Sequence, residues 1–189
     1  LVLKDAFAMV GMSAYLVLIV DVDATALALV LIALFTTVNV LGSKASASVQ
    51  LSLVVVVVSI MGWFIVDGLW ETVDRGFDGS NLDPFFTTGG SGVFAVVGLV
   101  FVSYGGLTKV ASAAEEVQDP SHRIPLGMAL SLATATALYT LGVLVTVAVV
   151  PVDVLHGDLA PIHTAAEAVL PRVGVWLVVV AALAAFSSA

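Results

Sequence analysis

The chain has no cysteine, three histidines and only six lysines and arginines together among its 189 residues. Without cysteine there is no disulfide framework and no thiolate metal site. His122, His156 and His163 fall in stretches read as loops and form no ligand-spaced cluster, so neither a metal nor a cofactor is expected. Charge is scarce as well: charged residues make up 11% of the chain and hydrophobic residues 60%. Soluble domains carry about 25% charged and about 45–50% apolar residues. With a mean hydropathy of +1.16, a water-soluble globule would lack the polar surface to cover itself. The composition is that of an integral, multi-pass membrane protein with the lipid bilayer as its solvent. A net charge of -8 argues against nucleic acid as a partner.

What is present is a series of apolar runs. Six stand out as membrane helices, at about 6–20, 24–41, 49–69, 92–117, 125–149 and 173–189. The VVVVV run at 54–58 is poor helix material in water, because β-branched side chains lose χ1 freedom. In lipid a helix is the isolated segment that satisfies its own backbone, so that propensity is overridden. Polar loops are expected at about 70–91 and at 151–172, with Pro125 at a first helical position. Both ends of the chain fall in or beside apolar runs, and no charged leader precedes the first. The expectation is a fragment of a longer protein whose remaining helices are partners of this chain.

Charges sort by side of the membrane. Loops after odd-numbered runs hold ten acids against Arg75 and Arg172, a net of -8, while the opposite loops balance. Lys44, Lys109 and Arg123 lie on that balanced side, which is read as cytoplasmic, and the expected location is the cell membrane.

One run does not read as an uninterrupted span. As a continuous helix, 92–117 would be about 39 Å long at ~1.5 Å per residue, against a hydrocarbon core of about 30 Å. Its middle is Ser103-Tyr104-Gly105-Gly106, and glycine is the worst helix former after proline. Two readings stay open at this point. The glycines, Gly98 included, could seat a neighbouring helix. Alternatively the helix is broken there, as in transporters that form substrate sites at the midplane. Glu115 and Glu116 follow, but successive helical residues point about 100° apart, so they do not make a paired-carboxylate site. Near a helix C-terminus they oppose the macrodipole, and one is expected to pair with Arg123 or with a neighbouring helix. Gln118-Asp119-Pro120 is expected to end this helix.

These same residues carry a family resemblance. YGGLTKVASAAEEVQDPSHRIPLGM resembles the sixth-helix region of amino acid–polyamine–organocation (APC) permeases. There the pattern aromatic-x-Ala-Tyr-x-Gly-Phe is followed by Ala-Glu-Glu-x-x-Asn-Pro-x-Arg-x-Ile-Pro. TTVNVLGSKASASVQ is similar to the link between that family's fourth and fifth helices, and LAAFSSA to the end of its eighth. The resemblance implies an all-α, polytopic fold, part of a 5+5 inverted-repeat (LeuT-like) transporter with a broken sixth helix, covered here from about helix three to helix eight. It further implies a secondary transporter that moves amino acids or related amines by alternating access, and no enzyme. The substrate-binding residues it implies are Val102, Ser103, Tyr104, Gly105, Gly106 and Leu107. The carbonyls of Val102, Ser103 and Gly105 would receive the substrate ammonium. Ser187 and Ser188 occupy a candidate ion site for a coupling Na+, with H+ as the other candidate ion.

Three departures qualify this carry-over. Leu107 replaces an aromatic that covers the substrate in many members, and Thr108 stands where many have Asp or Glu. Val57 stands where some members place a lysine, so coupling through such a lysine is excluded. The alternative, from a different class, is a six-helix membrane scaffold or sensor without transport, its glycines serving packing.

Overall fold

A computed structural model describes residues 2–20, 23–41, 47–76, 89–104 and 119–187, and the described residues with regular structure are all helical. The helices are α1 (Val2–Val17), α2 (Ala24–Leu41), α3 (Ala47–Arg75), α4 (Gly89–Ser103), α5 (Pro120–Val149), α6 (Val152–Leu155), α7 (Pro161–Val169) and α8 (Arg172–Ser187). The longest are α3 with 29 residues and α5 with 30. At ~1.5 Å per residue each exceeds the ~30 Å hydrocarbon thickness. Only 22% of the most apolar window of α3 and 17% of that of α5 is buried inside the chain. Core helices of a water-soluble protein would be mostly covered. The exposed valines and leucines of α3 and α5 therefore suit lipid, or further helices of a longer chain.

Several polar stretches turn out to be helical. Trp70–Arg75, expected in a loop, continues α3, where Glu71 and Arg75 pair one turn apart. Such pairs favour a helix beyond the point where its apolar run ends. Gly76, at φ 79°, then closes the helix in the left-handed conformation that glycine adopts without penalty. Helix α5 starts at Pro120, not at Pro125. Asp119, at φ 52°, is its N-cap residue, and Pro120 takes the first helical position, where a missing N–H costs nothing. Pro125 consequently lies in the second turn, with Arg123 already helical. The expected loop at 151–172 contains α6 and α7. His122 and His163 thus stand in helices, and among the described residues no group of three His, Asp or Glu side chains is placed to hold a metal.

Helices α3, α5, α7 and α8 surround one apolar core. Phe64, Val145, Ala165 and Ala166 are fully buried there, with Val178 and Ala181 beside them. Close approach depends on glycine. A Cβ on Gly68 would stand 2.2 Å from a methyl group of Val145, so α3 and α5 can touch only without it. Likewise a Cβ on Gly11 would stand 2.5 Å from the Phe186 ring, which is where α1 meets α8. Apolar lipid offers helices little hydrophobic drive to associate, so tight backbone approach at small residues takes over much of that role. No such neighbour lies within 4 Å of Gly98 among the described residues.

Helix α7 is set by Asp158, which follows Gly157 at φ 86°. One Asp158 carboxylate oxygen accepts the Ala160 N–H at 2.8 Å and the other the Thr164 hydroxyl at 2.6 Å. An acid at a helix N-terminus also complements the macrodipole.

The Gly68 contact can be tested by a double-mutant cycle in the full-length protein. Gly68→Ala should cost about 1–3 kcal/mol through overpacking. Val145→Ala made alongside it should recover part of that loss, giving less than additive destabilisation in thermal unfolding. Strictly additive losses would show that α3 and α5 do not touch at this point.

Candidate functional site

Helix α4 ends where the sequence changes character. It has 15 residues, about 22 Å at ~1.5 Å per residue, short of the ~30 Å needed to cross hydrocarbon. Its hydrogen bonding tightens before it stops. The Tyr104 N–H bonds the Phe101 carbonyl at 3.2 Å, an i→i−3 bond typical of a last turn. The Ser103 hydroxyl donates to the Leu99 carbonyl at 3.3 Å, a back-bond that slightly weakens helices. Around these residues α4 is mostly uncovered, with Phe94 80% and Phe101 78% exposed.

Tyr104 ties this helix end to α5. Its hydroxyl lies 3.1 Å from that of Thr136, and its ring meets Tyr139 edge-on at 5.5 Å between centroids and 72° between planes. Thr136 and Tyr139 are three residues apart and so share one face of α5. T-shaped aromatic pairs add about 0.5–1.5 kcal/mol beyond area burial. Neither α5 residue was singled out from the sequence. The available signal was the presence of hydroxyl-bearing residues, Thr136 and Tyr139 among them, within an otherwise apolar span.

Of the residues expected in the substrate site, Val102 and Ser103 form the last turn of α4 and Tyr104 the turn that follows. Gly105, Gly106 and Leu107 lie outside the described residues, as do Lys109, Glu115, Glu116 and Ser188. Ser187 closes α8. Arg123 sits exposed in the first turn of α5, where it opposes the helix dipole. Among the described residues it makes no ion pair. The structure therefore joins Tyr104 to Thr136 and Tyr139 on α5, while Ser103 bonds back within α4.

Comparison with known proteins decides the family. The family model described as amino acid permease matches residues 6–189, almost the whole chain. This chain belongs to the amino acid permease family. The vacuolar cationic amino acid transporter 2 of Arabidopsis thaliana is 32% identical over 133 residues, which cover 70% of this chain and 21% of that protein. Cationic amino acid transporter 5 of the same plant is 42% identical over 64 residues, covering 34% of this chain and 11% of its own length. The branched-chain amino acid permease BcaP of Bacillus subtilis (strain 168) is 38% identical over 71 residues, 38% of this chain and 15% of its own. The permease chain thus spans about a fifth or less of the length of these curated relatives. All three are named as transporters or permeases, and the family together with the apolar helices makes this a membrane protein.

The α4–α5 tie yields a direct test. Tyr104→Phe keeps the ring contact and removes the hydroxyl, and should lower stability by about 0.5–1.5 kcal/mol. Thr136→Ala combined with it should add little, because the shared bond is already gone. Thermal unfolding of the single and double variants reads this, and fully additive losses would rule the bond out.

Proposed function

We propose that the protein containing this chain is a secondary transporter that moves amino acids, or related amines, by alternating access. The match across residues 6–189 carries this reading. The substrate ammonium is received by backbone carbonyls where α4 stops, those of Val102, Ser103 and Gly105, with Tyr104, Gly106 and Leu107 completing the lining. An opened helix leaves carbonyls without N–H partners, and at membrane depth such groups persist only against protein, water or a ligand. The shortness of α4 and the tightening of its last turn support a break at this position.

In this proposal the Tyr104 side chain faces α5 and steadies the broken end, while the neighbouring carbonyls meet the substrate. The overall architecture is a 5+5 inverted repeat, with the first broken helix supplied by another part of the full protein. The coupling ion is Na+ or H+. Na+ would be held in part by Ser187 and Ser188, since Val57 offers no amine to take its place. Arg123 compensates Glu115 or Glu116 at the cytoplasmic end and thereby offsets its own unfavourable place at a helix N-terminus. The host membrane is the cell membrane.

Relatives are named for cationic and for branched-chain amino acids, so the test uses both classes. The full-length protein in proteoliposomes should take up arginine or lysine, or else leucine or valine. Gly106→Leu should cut that uptake by at least about tenfold, equivalent to roughly 1.4 kcal/mol, with the protein still folded. Undiminished uptake by this variant would overturn the working break. No uptake of any amino acid would favour the scaffold or sensor reading.

A further inference from the structure

A cavity of about 510 Å³ opens where the end of α1 meets α7 and the start of α8. Its size falls in the ~300–1,000 Å³ range of small-molecule sites. Leu18, Leu170, Val175, Trp176 and Val179 supply apolar walls, and its polar groups are His163, Glu167 and Arg172. We propose that this cavity is a second binding site, distinct from residues 102–107, for a small zwitterion carrying an ammonium group and an oxyanion.

Three observations carry the assignment. The first is rigidity. Helix α7 buries Ala165 and Ala166 completely against the core, and Asp158 fixes its N-terminus through the Ala160 N–H and the Thr164 hydroxyl. His163 and Glu167 lie one turn apart on this held helix. Their presentation to the cavity is therefore preorganised, which lowers the ordering cost of binding.

The second is charge. Glu167 and Arg172 line the same cavity with opposite signs, yet among the described residues Glu71–Arg75 is the ion pair formed. A carboxylate and a guanidinium that face one cavity without pairing are matched by a ligand bearing both complementary charges. Glu167 takes the ammonium, and Arg172 takes the oxyanion through its planar donor fork.

The third is the place of Arg172. It is the first residue of α8, where a cation opposes the helix dipole and contributes nothing to helix stability. An anion bound there is favoured by the guanidinium and by the N-terminal amides together. Pro171 and the tight approach of Gly174 to Leu170 and Trp63 hold this end of α8 in position.

The same chemistry occurs in a free α-amino acid and in a phosphatidylethanolamine headgroup, and two arms separate these sources. Both use the purified full-length permease in the Gly106→Leu background, which disables the site proposed at α4. In the first arm, radiolabelled leucine and arginine are tested for equilibrium binding in detergent free of phosphatidylethanolamine. Residual saturable binding, weakened at least about tenfold by Glu167→Gln and by Arg172→Gln, assigns the cavity to free amino acid. In the second arm, native mass spectrometry follows retention of phosphatidylethanolamine against phosphatidylglycerol. Preferential retention that is lost with either substitution assigns it to the lipid headgroup. Arg172→Lys, which keeps the charge but not the fork, should fall between Arg172 and Arg172→Gln in whichever arm is positive. If neither ligand responds to Glu167→Gln or Arg172→Gln while the variants melt normally, the proposal is overturned. Uptake by Gly106→Leu judges the α4 site separately, so one reading can fail while the other stands.

Discussion

The contact between Gly68 and Val145 is the constraint on which the packing of α3, α5, α7, α8 and α1 depends. A Cβ at position 68 would stand 2.2 Å from a valine methyl, so the Val145 side chain of α5 fills the space that any side chain on α3 would need there. That closeness brings Phe64 and Val145 into full burial and leaves room for the two alanines of α7 to complete the core. Helix α8 then packs on α3 and α7, and α1 on α8 through Gly11 and Phe186. Each step uses a small residue where a larger one would push the helices apart. Lipid tails are as apolar as leucine, so van der Waals contact at short range becomes the main source of attraction.

Helix α4 stands outside this arrangement. Its aromatic side chains are uncovered, its extended contact among the described elements is with α1, and Tyr104 supplies its tie to α5. Elements with few buried contacts are those that open and move at low cost. Under the proposed function, α4 receives a substrate and releases it on the other side of the membrane, and weak attachment suits that role. The well-packed group of α3, α5, α7 and α8 gives it a fixed reference. In this view Tyr104 is a compromise: one hydroxyl contact and one ring edge are enough to set the position of the α4 end, and few enough to be exchanged.

Much of this was legible in the sequence because lipid simplifies the problem. Once 60% of the residues are hydrophobic, the backbone has to satisfy itself, and helices follow even through five consecutive valines. The family was legible too, from the Glu-Glu, Pro, Arg and Ile-Pro that follow Gly105-Gly106, and the match over 6–189 bears it out. Helix ends were less legible. Apolar runs stop where side chains become polar, whereas helices stop where hydrogen bonding does, so α3 runs on to Arg75 and α5 begins at Pro120. Helix α7 was hidden by its shortness and by the prolines around it. The partnership of Tyr104 with Thr136 and Tyr139 depends on how two helices face each other, and no local pattern encodes that.

The acidic excess also changes meaning once individual residues are placed. As a sum it is a net charge of -8, which favours cations around the protein. As structure, several of the placed acids are already engaged. Asp23 accepts the Ala26 N–H at the start of α2, Asp67 the Trp63 indole N–H, and Asp158 sets α7, while Glu71 pairs with Arg75. These contacts are local, and each explains why an acid stands where it does. Glu167 and Arg172 have no such local explanation: one is exposed on a helix whose other face is buried, and the other is a cation at a helix N-terminus. Charges that stability does not explain, turned toward one cavity with opposite signs, are better accounted for by a ligand than by the fold.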